Sequence, residues 1–231
     1  MTAPAGGRAA PPGPELLVCS AVRGAVGWDR VAVIATDGLD HRLPLTGSDP
    51  VLAHWGDLQQ SLAEGPGADV LTTGAAVLLD DLRAASWLWP VLRAATPEAF
   101  PVHSLAVLPL VGRRAGGVVG VLAVARDAVV PFTEPQVGLL TALADLLAAV
   151  VVHRSASGDL FREAGDVGAT SGDEVSVVLG MLAERLGTRA DEALARLRAF
   201  AFSAGSTIHE VARTVLEGEL DLDRVAGPRW G

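Results

Sequence analysis

The stretch SLAVLPLVGRRAGGVVGVLAVARD, residues 104–127, decides the fold of this 231-residue chain. Its two apolar runs, 104–111 and 118–125, are rich in Val and Leu, and a glycine-rich segment at 112–117 separates them. Short apolar runs bounded by turn residues are typical of strands that are buried in a sheet. We therefore expect two strands joined as a hairpin.

The residues on either side of this hairpin alternate between helical and strand patterns. The run RVAVIAT at 30–36 is β-branched and is followed by Asp37-Gly38, which is a turn signal. Thr133, followed by Glu134, caps a long helix that is predicted to run to about His153. The remaining predicted elements are a helix at 15–26, a return strand at 41–45, a helix at 50–63 and a short strand at 77–79. This order predicts an α+β fold, with an antiparallel sheet flanked by helices on one or both faces.

Three short amphipathic helices are predicted after residue 170. Each opens on a hydroxyl residue with a carboxylate three positions later, which is the spacing of a capping box. Each is followed by a glycine, where a left-handed residue can end the helix. The caps are Ser171 with Glu174, Thr188 with Asp191 and Thr207 with Glu210, and the glycines are Gly187, Gly205 and Gly218. We expect a three-helix bundle over 171–222, joined to the first domain by a linker at 155–170.

Composition limits the chemistry of the chain. The single cysteine, Cys19, excludes an intramolecular disulfide framework and a multi-cysteine zinc site. No nucleophile–base pair, phosphate loop or metal-ligand spacing is visible, so we expect no enzymatic activity, no metal and no cofactor. The N-terminal residues 1–14 lack the pattern of a signal peptide and are predicted to be a disordered tail. The longest apolar run, 137–152, is interrupted by Asp145, so we predict a cytoplasmic protein with no membrane span.

Residues 15–154 resemble a GAF domain. The resemblance rests on LAEGPGADVLTTGAAVLLDDL at 62–82, on the predicted hairpin and on the entry to the long helix at 132–136. It implies a small-molecule sensor or a dimerisation module. Trp87 and Trp89 are the candidate ligand-binding residues, because two tryptophans could cover an apolar ligand. The alternative is that they belong to the core over the sheet.

The last helix of this domain carries a wide apolar stripe between Val137 and Val151. A stripe wider than one sheet can cover needs a partner. We therefore expect a homodimer.

The run LGMLAERLGTRADEALARLRAFAFSAGSTIHEVARTVLEGEL, residues 179–220, resembles an ANTAR domain. The resemblance implies an RNA-binding output module of a transcription antitermination regulator, with leader RNA hairpins as its target. Arginine side chains contact phosphates and stack on unpaired bases, which makes the arginines of the bundle the candidates. These are Arg185, Arg189, Arg196, Arg198 and Arg213, although ion pairing on the helix surface is the alternative role for each.

The net charge of −9 means that any RNA-binding surface must be a local patch. The whole pattern predicts a GAF sensor that controls an ANTAR-like RNA-binding bundle. The alternative function is a signalling or scaffold protein that does not bind RNA and uses both domains for protein contacts.

Overall fold

A computed structural model describes residue 23 and residues 27–36, 42–44, 48–112, 117–157 and 171–227. The strands are β1 (Arg30–Thr36), β2 (Arg42–Pro44), β3 (Val77–Leu79), β4 (Ser104–Gly112) and β5 (Gly117–Arg126). The helices of the first domain are α1 (Pro50–Leu62), α2 (Pro66–Thr73), α3 (Leu82–Ala85), α4 (Pro90–Ala95) and α5 (Glu134–Ser157), with a 3₁₀ turn (Ser86–Leu88) between α3 and α4. The C-terminal helices are α6 (Ser171–Leu186), α7 (Ala190–Ala204), α8 (Ile208–Leu216) and α9 (Leu222–Ala226).

The five strands form one antiparallel sheet in the order β2-β1-β5-β4-β3. The predicted hairpin is confirmed, since β4 pairs with β5 and Ser104 lies opposite Arg126. The α+β class and the antiparallel sheet are therefore confirmed. Both faces of the sheet are buried, because alternate residues of β1 enter two different apolar clusters. Val31 and Val33 face α5, whereas Ala32 and Ile34 face α1 to α4. A sheet that is covered on both faces needs apolar residues at every position, which explains the unbroken apolar runs.

Helix α5 forms the whole described cover of one face. Its buried residues Leu140, Leu143, Leu147 and Val151 pack on the sheet. By length and mean hydropathy, 1.8 over an 18-residue window, α5 is long and apolar enough to cross a membrane; 33% of that window is buried, and the helix packs on β4 and β5. It extends to Ser157, which is into the segment predicted as a linker.

The C-terminal helices have an apolar core of their own. Its most buried side chains come from α6, α7 and α8 and include Val178, Leu182, Leu197 and Ile208. The prediction of three helices is incomplete, because α9 packs against α7 and α6 as a fourth. The sequence did not indicate α9, because a helix of five residues has too few turns for an apolar period to show.

Two of the predicted caps can be compared with the structure. The capping box of α8 is confirmed, since Thr207 Oγ1 accepts from the Glu210 amide at 3.2 Å and a Glu210 carboxylate oxygen accepts from the Thr207 amide at 2.9 Å. The predicted cap at Thr188 is wrong. Its amide donates to Ala183 O at 3.0 Å, which makes Thr188 the end of α6, and Arg189 takes the N-cap position of α7. The Ser171 side chain lies outside what the structure describes.

The glycines predicted to end these helices all have positive φ, at 68°, 64° and 77° for Gly187, Gly205 and Gly218. The short helices α2, α3 and α4 were not predicted. The predictions of a tail at 1–14 and a helix at 15–26 fall outside the described residues, as does most of the predicted linker.

Candidate ligand cavity and domain junction

A cavity of about 340 Å³ lies in the helical layer of the first domain, between α1, α3 and α4. Its apolar wall is formed by side chains from all three helices and from the segment before β4: the buried Trp55, Leu82, Trp89, Leu92 and Val102, and the partly buried Phe100. This volume is within the range of small-molecule sites. By contrast, only about 30 Å³ is free directly over the sheet, between Ile34, Leu52 and Val121. The larger space therefore lies beneath α3 and α4.

Both tryptophans in the wall have their polar atoms engaged. Trp55 Nε1 donates to Thr96 Oγ1 at 3.1 Å, and that hydroxyl in turn donates to Leu92 O at 2.7 Å. Trp89 Nε1 donates to Asp69 Oδ2 at 2.9 Å. The ring of Trp55 also contacts Phe100, with centroids 5.2 Å apart. The indoles are thus fixed in place and offer apolar surface to the cavity.

The mouth of the cavity carries two arginines. Arg83 lies on α3 and Arg93 on α4, and both are exposed while lining the space. Arg83 Nη2 donates to Glu98 O at 2.9 Å, which holds this side chain across the opening. Glu98 is the one acidic side chain among the described lining residues. The acids nearby act elsewhere, since Glu64 accepts from the first amides of α4 and Asp81 caps α3.

The structure separates the two tryptophans that the sequence put forward. Trp89 is 5% exposed and lines the cavity. Trp87 is 70% exposed and is not among the residues of the wall. The two side chains diverge because Trp87 lies in the 3₁₀ turn, whereas Trp89 follows it and precedes Pro90 of α4.

The C-terminal bundle contacts the first domain through the end of α1. Ser61 Oγ accepts from the Ile208 amide at 2.9 Å, and His209 Nε2 lies 3.1 Å from Gln60 Oε1. Arg198 Nε donates to Gln60 O at 3.2 Å. Gln60, Ser61 and His209 are all at most 5% exposed. We call these contacts the domain junction.

The domain junction joins two helix ends. The last carbonyls of a helix and its first amides lack partners within the helix. Here Gln60 O, near the end of α1, accepts from Arg198 of the bundle, and the first amide of α8 donates to Ser61 of the sensor. His209 Nε2 also lies 3.4 Å from Asp57 Oδ1. Because both neighbouring oxygens are acceptors, Nε2 is the nitrogen that carries a proton.

The cavity and the junction share a wall. A groove of about 460 Å³ runs between α1 and the start of α8, where Ser206, Thr207 and Glu210 line it. Trp55, Pro97 and Phe100 line both this groove and the cavity. Glu210 is held there by hydrogen bonds from the Thr207 amide and the Ser206 hydroxyl, which lower the pKa of its carboxyl. Trp55, Pro97 and Phe100 therefore border both the cavity and the start of α8.

The five candidate arginines have different surroundings. Arg185 forms a two-pronged ion pair with Asp223, at 2.6 and 2.9 Å, and Arg196 Nη1 donates to Ala226 O at 3.3 Å. Both therefore tie the bundle to α9. Arg198 is held in the domain junction. Arg189 is 89% exposed, 3.4 Å from Asp191, and Arg213 is exposed on α8.

Sequence reasoning missed the domain junction. A signal for part of it exists, because Gln60 follows Leu52 and Gly56 at the helical spacing of buried positions, whereas Ser61 lies outside that spacing. Buried polar side chains need hydrogen-bond partners. The Ser61 hydroxyl donates to Asp57 O within α1 at 2.8 Å, and its remaining acceptor capacity is used by the Ile208 amide of the bundle.

An antiparallel sheet covered by helices on both faces, with a cavity of small-molecule size in one helical layer, defines an α+β domain of the sensor type. Residues 17–151, more than half of the chain, match the GAF domain family, and the chain belongs to this family. The match ends before α6, so it does not include the C-terminal bundle. A GAF sensor domain with a signalling function is therefore established.

Solved GAF domains are similar to this chain at low identity. The GAF domain of an Acinetobacter phosphoenolpyruvate-protein phosphotransferase is 22% identical, with a TM-score of 0.46 over 62% of this chain and 83% of that one. Its counterpart from Coxiella burnetii is 19% identical, with a TM-score of 0.47 over 63% and 84%. A GAF domain/HD domain protein from Geobacter sulfurreducens is 22% identical, with a TM-score of 0.43 over 59% and 88%. No curated protein matches the chain significantly.

Proposed function

We propose that this protein is a non-enzymatic cytoplasmic regulator of transcription antitermination. Its GAF domain senses a small molecule and controls RNA binding by the ANTAR-like bundle at 171–222. The observation that carries the proposal is the domain junction. There, α1 of the sensor holds the bundle, and Arg198 of the bundle donates a hydrogen bond to Gln60 O of α1. Arg198 belongs to the Leu197-Arg198 pair on which the ANTAR resemblance partly rests.

The shared wall supplies a route for the signal. A ligand that moves Trp55 or Phe100 alters the surface against which the start of α8 rests. Such a ligand binds the docked and undocked forms with different affinity, and this difference is what shifts the equilibrium between them. Release of the bundle frees Arg198 from Gln60 O and adds one arginine to those already exposed, Arg189 and Arg213.

A mobility-shift assay with leader RNA that contains paired hairpins, at low salt, tests the RNA function. We expect binding, and we expect the double variant Arg189→Ala/Arg213→Ala to weaken it and to lower the salt dependence by about one phosphate contact per arginine. Arg224→Ala is the control for each of the two single replacements, because Arg224 is exposed on α9 and its replacement likewise removes one positive charge. Absence of RNA binding, or equal loss in the control, contradicts the proposed RNA function.

A second candidate is a bundle that contacts proteins instead of RNA. Its supporting observation is the exposed apolar side chains of the bundle, with Phe202 at 64%, Val177 at 51%, Leu216 at 42% and Met181 at 39%. Acidic residues also outnumber arginines in this part of the chain. Exposed apolar groups of this size are typical of protein interfaces. The RNA assay separates the two functions.

We also propose that the chain forms a homodimer through α5. Leu139 and Leu146, two turns apart on this helix, are 41% and 52% exposed and lie outside the face that covers the sheet. Sedimentation should give a dimer that Leu146→Glu dissociates, whereas Leu88→Glu, at another exposed apolar site, should not. A wild-type monomer at high micromolar concentration contradicts this assembly.

A further inference from the structure

We infer that the cavity beneath α3 and α4 binds a small aromatic or otherwise flat apolar acid, whose anionic group lies between Arg83 and Arg93. This inference deepens the proposed sensing function and rests on it, because it names the class of ligand that the sensor takes.

The wall selects a flat apolar body. Trp55, Trp89 and Phe100 supply ring surface, and Leu92 and Val102 close the space behind them. These aliphatic side chains are at most 2% exposed. Aromatic surfaces favour offset stacking or edge contact with another ring. The volume of about 340 Å³ suits one ring or two fused rings.

The neutral polar side chains of the wall have all their donors engaged within the protein. The indole N–H groups donate to Thr96 and Asp69, the Thr96 hydroxyl donates to Leu92 O, and the Ser86 hydroxyl donates to Arg83 O at 2.7 Å. A ligand whose polar group is an acceptor must therefore find its donors at the mouth of the cavity.

The mouth provides these donors with a positive charge. A guanidinium has five N–H donors, no acceptor, and a planar form that matches carboxylate, sulfonate or phosphate oxygens. Arg83 uses Nη2 on Glu98 O, which positions it without neutralising its charge. Arg93 adds a second cation from the facing helix, against the single carboxylate of Glu98. A cationic ligand would meet like charge there.

Three probes that share the naphthalene ring and carry a negative charge, no charge or a positive charge test this inference on the full-length protein: 2-naphthoate, 2-naphthalenemethanol and 2-naphthylmethylamine. By calorimetry, we expect naphthoate to bind at least tenfold more tightly than the alcohol, with no binding of the amine. The double variant Arg83→Gln/Arg93→Gln should weaken naphthoate binding at least tenfold, and Arg224→Gln, on the far bundle, should not change it. Three results overturn the inference that the cavity binds an acid: naphthoate does not bind, the three probes bind with equal affinity, or the double variant binds naphthoate as tightly as the wild type does.

The indole N–H resonances locate the bound probe. Those of Trp55 and Trp89 should shift on addition of naphthoate, whereas that of Trp87, which is exposed outside the cavity, should stay in place. Trp→Phe variants assign the resonances. A shift of Trp87 alone overturns the inference. RNA binding is measured separately, without any probe, so the two proposals can fail independently. If the protein binds naphthoate but no RNA, the antitermination function is rejected and the acid site stands. If it binds RNA but no naphthoate, only the acid site is rejected.

Discussion

Ser61→Ala tests whether the domain junction controls the bundle. Ser61 Oγ is the acceptor for the Ile208 amide at 2.9 Å, at a point where Ile208 is fully buried and Ser61 is 4% exposed. Without the hydroxyl, this amide stays buried with its acceptor removed, which costs about 1–3 kcal/mol. In the undocked form the same amide is open to water and has no such cost. The penalty therefore falls on docking rather than on folding of the bundle, and shifts the docking equilibrium by roughly 5-fold to 150-fold.

Hydrogen exchange measured by mass spectrometry reads this shift directly. Protection should fall by that factor in peptides that cover the end of α1 and the start of α8, and stay unchanged in β4 and β5. Ser203→Ala is the matched control, since Ser203 is an exposed serine of the bundle whose hydroxyl donates only within α7, to Phe200 O at 2.8 Å. Unchanged protection at the junction refutes the reasoning, as does an equal loss across the sheet. If docking withholds Arg198, the same variant should raise RNA affinity by up to the same factor.

Three further predictions concern stability, each measured by urea unfolding. Glu210→Gln should lower the unfolding free energy of the bundle at neutral pH by at most about 1 kcal/mol, because the charged carboxylate accepts hydrogen bonds from Thr207 and Ser206. Since the pKa of this carboxyl is lowered in the folded state, the difference in unfolding free energy between variant and wild type should disappear as the pH falls through that pKa. A difference that persists in acid contradicts this prediction. Gly120→Ala should destabilise the sheet by about 1–3 kcal/mol, as the added methyl would meet the Ile34 carbonyl oxygen, whereas Gly117→Ala has nothing near it and should be neutral. Gly138→Ala, in open space on α5, should stabilise by about 1 kcal/mol, and a loss of stability there would show a contact that the structure lacks.

The sheet was predictable from the sequence because its strands are short apolar runs between turn residues. Predicted and observed bounds coincide for Arg30–Thr36 and Val77–Leu79, and those of the central hairpin differ by one residue. The helices α2, α3 and α4 were not predictable in the same way, since four to eight residues give too few turns for a period to show. These short helices form much of the cavity, so its shape was hidden as well.

The candidate site was predictable only in part. Trp89 could be put forward because a buried aromatic residue is a common part of a ligand wall, but the sequence could not tell it from Trp87. The different exposure of Trp87 and Trp89 depends on the 3₁₀ turn between α3 and α4, and packing in the folded domain sets the geometry of that turn. Arg83 and Arg93 converge only because α3 and α4 fold back over α1. Thr188 shows a different limit, since the hydrogen bonds that end α6 include the residue that the local signal assigned as the cap of α7.

The polar character of the domain junction suits it to reversible docking. The bundle keeps its own apolar core, so its release need not unfold it. The atoms released at the junction are Gln60 O, the Ile208 amide and the His209 ring, and water can hydrogen-bond to each of them. Exchange of protein hydrogen bonds for water costs only about 0.5–1.5 kcal/mol per bond. The docking free energy of a junction that consists of a few such bonds is therefore small enough for one bound ligand to shift the docking equilibrium. An apolar interface as large as the sheet core would be too stable for that.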